Sequence, residues 1–385
     1  MMAQACVPGW RDWLRLQLTP GVGQHTSLQL WRCLGSATAV FDHVASRGDD
    51  GQGVLNRAQA QALTQIPSDW QGVCERVDAW LGASRPGESR ALWTLDHPLY
   101  PEALRETHDP PLCLFVRGQV SAWPDQAVAV VGSRNPTRQG LENAHRFASC
   151  LADNGWCVVS GLALGIDGAA HQGALSTHIK CSTVAVVGTG LDQVYPASHQ
   201  GLAEDIACQG MLVSELLPGA APLAAHFPRR NRLIAALSQA SLVVEASLRS
   251  GSLITARLAL DLGRDVLAVP GSIHSPQSRG CHALIKQGAK LVESIQDVFD
   301  ELTPRAGSSS LKVQARVPER NGGPKQAPPE QHRAVWQALG HDPVSLELLC
   351  QRIQQETAQV LASLLALELG GWIERLAGGR FQRVH

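Results

Sequence analysis

Between residues 112 and 293, short apolar runs alternate with longer amphipathic stretches. The runs are 112–116, 127–131, 156–160, 183–187, 211–215, 242–246, 265–269 and 290–293. They are apolar almost throughout and do not alternate apolar with polar. Runs of this kind predict strands buried on both faces, and the amphipathic stretches between them, such as 138–154, predict helices. Strand and helix in alternation predict an α/β unit, a doubly wound parallel sheet with helices on both sides.

The flanks carry different patterns. Residues 1–84 are predicted to form a small all-α domain of their own. There Leu18-Thr-Pro-Gly-Val-Gly23 precedes a helical pattern at 27–34. It reads as the turn of a helix-hairpin-helix unit, with Gly21 and Gly23 permitting a tight bend; a plain turn between packed helices fits the same residues. Further helices are predicted at 55–66 and 73–81, and Ser84-Arg-Pro-Gly-Glu-Ser89 marks a boundary. A Rossmann-like unit then spans 85–302. Residues 303–329, rich in Pro, Gly and Ser, read as a linker. From 330 to 385, helical patterns at 331–339, 346–353 and 357–369 precede a glycine-turned hairpin, which predicts a winged helix.

Composition narrows the function. The chain has 385 residues, with 33 Lys and Arg against 34 Asp and Glu. A near-neutral whole cannot attract a polyanion by its overall field, so such a partner must meet locally clustered cations. The ten cysteines are scattered and none form a Cys-x-x-Cys pair. Neither a metal site nor a disulfide framework is expected, and reduced thiols fit a cytoplasmic protein. No apolar run reaches the ~18 residues of a membrane helix. The first residues lack the basic and apolar segments of a secretory signal.

Glycine-bearing turns recur at the ends of successive strands: Gly132-Ser133-Arg134, Gly161 to Gly165, Gly188-Thr-Gly190 and Ser250-Gly251-Ser252. In an open parallel sheet such turns share the carboxyl edge, where ligands bind. A third glycine for a dinucleotide fingerprint is missing, because position 193 is Gln, and no Walker-type loop occurs. What remains is a row of amides and hydroxyls with Arg134, Lys180 and the segment Phe227-Pro-Arg229-Arg230-Asn231-Arg232. Cations at a helix start oppose the helix dipole and call for an anionic partner. The set suits a run of phosphates, and Phe227 could stack on a base. The competing readings are structural: Phe227 as a core anchor and the arginines as a salt-bridged helix start. Glu245 reads as a strand-end carboxylate balancing Arg257 or the arginine cluster. Asp167 and Asp192 read as helix caps, and His171 as a core or interface histidine.

Six motifs stand in order: Val130-Val-Gly-Ser-Arg134, Ser160-Gly-Leu-Ala-Leu-Gly-Ile-Asp-Gly-Ala-Ala-His171, Gly188-Thr-Gly-Leu-Asp-Gln-Val-Tyr-Pro196, Phe227-Pro-Arg-Arg-Asn-Arg232, Ser250-Gly-Ser-Leu-Ile-Thr-Ala256 and Ser278-Arg-Gly-Cys-His282. Together they resemble the DprA/Smf family of bacterial DNA-processing proteins, closely over about 90–300. The resemblance implies a non-enzymatic, cofactor-free protein. It would bind and protect incoming single-stranded DNA and load the RecA recombinase during natural transformation. DNA contacts would fall on the turn residues and arginines above, with Thr255. A homodimer would form through the last helix and strand, at His282 and Leu291. Leu164 stands where many members carry Arg. A second class of function is a nucleotide enzyme of the phosphoribohydrolase-like type. That class uses a Pro-Gly-Gly-x-Gly-Thr loop, and this chain has Ser250-Gly-Ser-Leu-Ile-Thr255 there.

Overall fold

The computed structural model describes residues 9–48, 53–85, 87–121, 123–302, 329–340, 344–376 and 379–383. The expected linker, 303–329, lies outside these apart from its last residue. The chain divides into two units, 1–315 and 316–385.

The larger unit is built on a nine-stranded sheet. In chain order its strands are β1 (Ser89–Thr94), β2 (Cys113–Gly118), β3 (Ala127–Val131), β4 (Cys157–Ser160), β5 (Thr183–Val186), β6 (Met211–Ser214), β7 (Ala240–Val243), β8 (Asp265–Ala268) and β9 (Lys290–Leu291). Their spatial order is β1-β2-β6-β5-β4-β3-β7-β8-β9. From β6 to β9 every neighbouring pair is parallel, as the pattern predicts. β1 and β2 differ: β2 runs antiparallel to β6, and β1 antiparallel to β2. A strand buried on both faces has no polar side to betray its direction, so β2 reads like its parallel neighbours.

The apolar runs have the expected cause. In β3, Ala127, Ala129 and Val131 enter one core while Val128 and Val130 enter another. The helices Arg138–Asp153 and Ile166–Leu175 cover the second face with small residues, among them Ala144, Ala148, Ala170 and Ala174. The helices His226–Ala236 and Ser252–Asp261 cover the first. The chain winds from β3 through β4 and β5 to β6, then crosses back to β7 on the other side of β3. The connections therefore diverge between β3 and β7, and a crevice opens at their carboxyl ends.

The boundary expected near residue 84 is not a seam. Five helices, Trp10–Leu18, Gln24–Leu34, Ala37–Arg47, Arg57–Thr64 and Trp70–Gly82, share one core with β1 and β2. Trp80 packs edge-on against Phe115, with ring centroids 5.6 Å apart. Trp93 and Phe115 are fully buried there. Burying side chains of this size contributes roughly 1.5–3 kcal/mol each. The helical segment is thus a layer on the antiparallel end of the sheet, and the polar Ser84–Ser89 stretch is a loop within one unit.

The smaller unit has the helices Arg333–Leu339, Leu346–Ile353 and Thr357–Leu369 and a three-stranded antiparallel sheet of Val344–Ser345, Arg380–Arg383 and Ile373–Leu376. This is the expected winged helix, with the short strand Val344–Ser345 added. Its core comprises Val335, Leu339, Leu349, Val360, Leu364, Leu367 and Phe381 with their neighbours. Leu361, Leu365 and Leu369 are exposed on the last helix. No helix among the described residues is long and apolar enough to cross a membrane.

Candidate nucleic-acid interface

The crevice at the carboxyl ends of β3, β4, β5 and β7 is lined by the glycine turns. Gly132, Ser133 and Arg134 follow β3 directly. The Ser133 carbonyl accepts a hydrogen bond from Ile166 N at 3.1 Å, which ties the turn after β3 to the helix after β4. Arg134 is exposed, and its guanidinium carbon lies 5.8 Å from the centroid of the Phe227 ring. Phe227 also faces Tyr195, with ring centroids 5.4 Å apart, and Tyr195 is 48% exposed. A cation and two aromatic rings therefore share one surface. Such a group suits a phosphate with an adjoining base. The Ser250 and Ser252 hydroxyls, 2.7 Å apart, and exposed Gly251 form the turn after β7.

Several expected contacts sit elsewhere. Arg230 is only 5% exposed. Its Nη1 donates to the carbonyls of Gly161, at 2.6 Å, and Val186. Burial pulls its pKa down to about 10, with the Asp167 carboxylate opposing that shift, so it stays cationic at neutral pH. Gly161 is buried too, and its amide donates to Asp167 Oδ2 at 3.2 Å, so that amide is not offered to a ligand. Thr255 and Ser252 are buried in the helix start. Arg232 pairs with Glu215 and Asp109. Lys180 lies in the turn before β5, at the amino edge, opposite the crevice. Strand direction decides this: a residue preceding a parallel strand cannot reach the edge where the strand ends.

Arg229 remains 56% exposed while pairing with Glu215 at 3.2 Å and donating to Gln24 Oε1 at 3.1 Å. The salt-bridged reading thus holds for Arg232 and in part for Arg229. Half-buried Asn231 points its Nδ2 at the Gly251 carbonyl, 3.4 Å away. The surface left from the expected set is Gly132, Ser133, Arg134, Phe227, Arg229, Asn231, Ser250 and Gly251. Tyr195 joins it, unforeseen; the available signal was an aromatic residue shortly after a strand-end glycine turn.

The carboxylates are structural. Glu245 accepts from Thr137 N at 2.9 Å and Thr137 Oγ1 at 2.6 Å, so it braces the start of the helix Arg138–Asp153, not Arg257 or the arginine cluster. Its carboxyl lies where a Cβ on Gly140 would fall, so a larger residue at 140 must push that carboxyl off Thr137. Burial raises its pKa against the pull of Thr137. Asp192 accepts from Gly219 N at 2.8 Å. His171 is a core histidine, hydrogen-bonded to Thr183 Oγ1 at 2.7 Å, and burial depresses its pKa to about 3. No cluster of three or more metal-binding side chains occurs among the described residues.

Residues 91–303 match the family described as DNA recombination-mediator protein A, and residues 319–379 match the DprA winged helix domain. The chain belongs to the DprA family. It is 41% identical over 290 residues to Protein Smf of Escherichia coli (strain K12), covering 74% of this chain and 75% of that one. Among solved structures, DprA from Streptococcus pneumoniae aligns with TM-score 0.62 and 36% identity, covering 75% of this chain and 95% of that one. DNA processing protein A from Helicobacter pylori aligns with TM-score 0.50 and 32% identity, over 55% of this chain and 95% of its own. That structure concerns a unique single-stranded DNA binding mode of the Helicobacter protein.

Proposed function

We propose that this DprA-family chain binds single-stranded DNA along the carboxyl edge of its parallel sheet. The bound strand is protected there and passed to RecA, in the course of natural transformation in the cytoplasm, without chemistry on the DNA. The observation that carries the reading is the surface shared by Arg134, Phe227 and Tyr195 at the point where the strand connections diverge. A guanidinium meets a phosphate while flat rings receive unpaired bases, which a duplex keeps stacked inside. Ser133, Ser250 and the Gly251 amide add neutral donors, and Arg229 adds a second exposed cation. The nucleotide-enzyme alternative lacks support from Glu245, whose two oxygens are both committed to Thr137. Incubation of the protein with nucleoside monophosphates and with oligonucleotides separates the two. Intact, protein-bound single strands are expected; released base or shortened strands would favour the enzyme.

The winged helix is proposed to be dispensable for this binding. In a helix-turn-helix unit the second helix enters the DNA groove. Here that helix, Thr357–Leu369, has no Lys or Arg, and Leu361, Leu365 and Leu369 are among its exposed residues. Phosphate attraction supplies most non-specific affinity, so this helix is poorly equipped for it. A protein ending at Thr303 is expected to keep single-strand affinity within a few-fold of the full chain. A loss beyond about tenfold, ~1.4 kcal/mol, in a folded truncated protein would assign DNA contacts to the tail.

A further inference from the structure

Arg230 stands between loops that have no other reason to share a side chain. Its Nη1 holds the Gly161 carbonyl at the end of β4 and the Val186 carbonyl at the end of β5. Its Nε donates to Asn231 Oδ1 at 3.2 Å, and Asn231 Nδ2 reaches the Gly251 carbonyl in the turn after β7. The loop after β4 is gripped from its other side by Asp167, which accepts from Gly161 N and, at 3.4 Å, Ala163 N. Through Ile166 N that loop also holds the Ser133 carbonyl. A Cβ at position 161 would lie 2.6 Å from Arg230 Nη2, so any larger residue there must displace the guanidinium. Nη1 and Nε are engaged within the protein and the side chain is almost wholly enclosed.

We propose that Arg230 is a positioning residue: it sets the spacing of the turns after β4, β5 and β7 so that they meet a single-stranded backbone together, and it does not itself touch the DNA. This rests on the single-strand reading of the edge. A planar guanidinium is needed because Nη1 meets the two carbonyls while Nε–H holds Asn231, and only a guanidinium carries both nitrogens in one rigid plane. A lysine ammonium keeps the charge but loses the fork. Of the turns that Arg230 ties together, the one after β7 presents neutral groups, the Ser250 hydroxyl and the Gly251 amide, and these release no counterions when they bind a phosphate.

The test compares the wild type with Arg230→Lys and Gly161→Ala, each confirmed folded by thermal melting. Single-strand affinity is measured over a range of salt, and amide hydrogen exchange in the free protein. Arg230→Lys is expected to weaken binding about tenfold, the scale of one well-formed contact, with the slope of log affinity against log salt unchanged. Gly161→Ala, which keeps every charge and wedges a methyl against the guanidinium, is expected to reproduce the loss. The double variant is expected to bind no more weakly than either single one, as for residues acting as a unit. Both variants are expected to speed exchange at the amides of Gly161 and Ala163 while the rest of the sheet stays protected. Wild-type affinity in Arg230→Lys would overturn the proposal, since charge alone would then suffice. So would a slope smaller by about 0.7, which marks a lost phosphate contact on a single strand. Should Arg230→Lys fail to fold, Gly161→Ala decides: wild-type affinity in that variant overturns the proposal. The exchange measurement needs no DNA. Faster loop exchange in a protein that does not bind single strands would leave the tether standing and remove the single-strand reading beneath it.

Discussion

Replacing Arg134 by alanine is expected to weaken single-strand binding by roughly 10- to 100-fold. That is what one charge-assisted contact of about 1.5–3 kcal/mol is worth. The side chain is exposed in the turn after β3, and its guanidinium forms no close ion pair with a carboxylate among the described residues. Its charge is therefore available to a ligand, while that of Arg232 is committed to Glu215 and Asp109. The same substitution is expected to lower the salt slope by about 0.7, because one fewer phosphate is neutralised. Melting temperature is expected to change little, since exposed turn residues carry little of the fold. Fluorescence anisotropy with a labelled oligonucleotide measures both quantities. Wild-type affinity in a folded Arg134→Ala protein would place the DNA on another face.

The second large effect concerns assembly. β9 (Lys290–Leu291) closes the sheet on one side and pairs only with β8. Both of its residues are exposed. Beside it a hollow of about 360 Å³ is lined by Leu260, Ile285 and Leu291, with Arg264, Asp265, Lys290 and Glu301 among the charged residues around it. An open strand edge bordered by apolar side chains is a template for a second copy. We propose the homodimer there. His282, the other residue expected at the contact, is half-buried, with Nε2 3.0 Å from the Gly271 carbonyl, so its ring is already engaged within the chain. Leu291→Arg places two like charges across a two-fold axis and is expected to give monomers in light scattering. Because two linked sites bind one strand far more tightly than one, single-strand affinity is expected to fall by on the order of 10²-fold or more on long oligonucleotides. Dimers that survive the substitution would move the interface elsewhere.

The fold was legible because its signal is redundant. Eight apolar runs, each bounded by glycine or by a helical pattern, leave few alternatives to a wound sheet, and β3 falls at the residues the pattern marks. β1 was missed: Ser89–Thr94 begins polar and borders the loop that looked like a domain boundary. The site was only partly legible. Glycine followed by Ser133 and Arg134 at a strand end announces an anion site in any parallel sheet. Arg230 announces nothing, because a buried arginine satisfied by two carbonyls looks in sequence like its exposed neighbour Arg229. The acidic partners that claim Arg232 come from Asp109 and Glu215, far from it along the chain. Lys180 shows the reverse case, since its place ahead of a strand already fixed it to the opposite edge.

The central claim is that the carboxyl edge holds an unpaired strand chiefly by its phosphates and adds stacking that a duplex cannot supply. The measurement closest to it is the affinity of the wild-type protein for one oligonucleotide, single-stranded and annealed, across a salt series. If Arg134 and Arg229 of both protomers of the proposed dimer neutralise about four phosphates, log affinity for the single strand falls against log salt with a slope of roughly −3, and the duplex binds more weakly at every salt. A slope near zero, or equal affinity for the duplex, would contradict it.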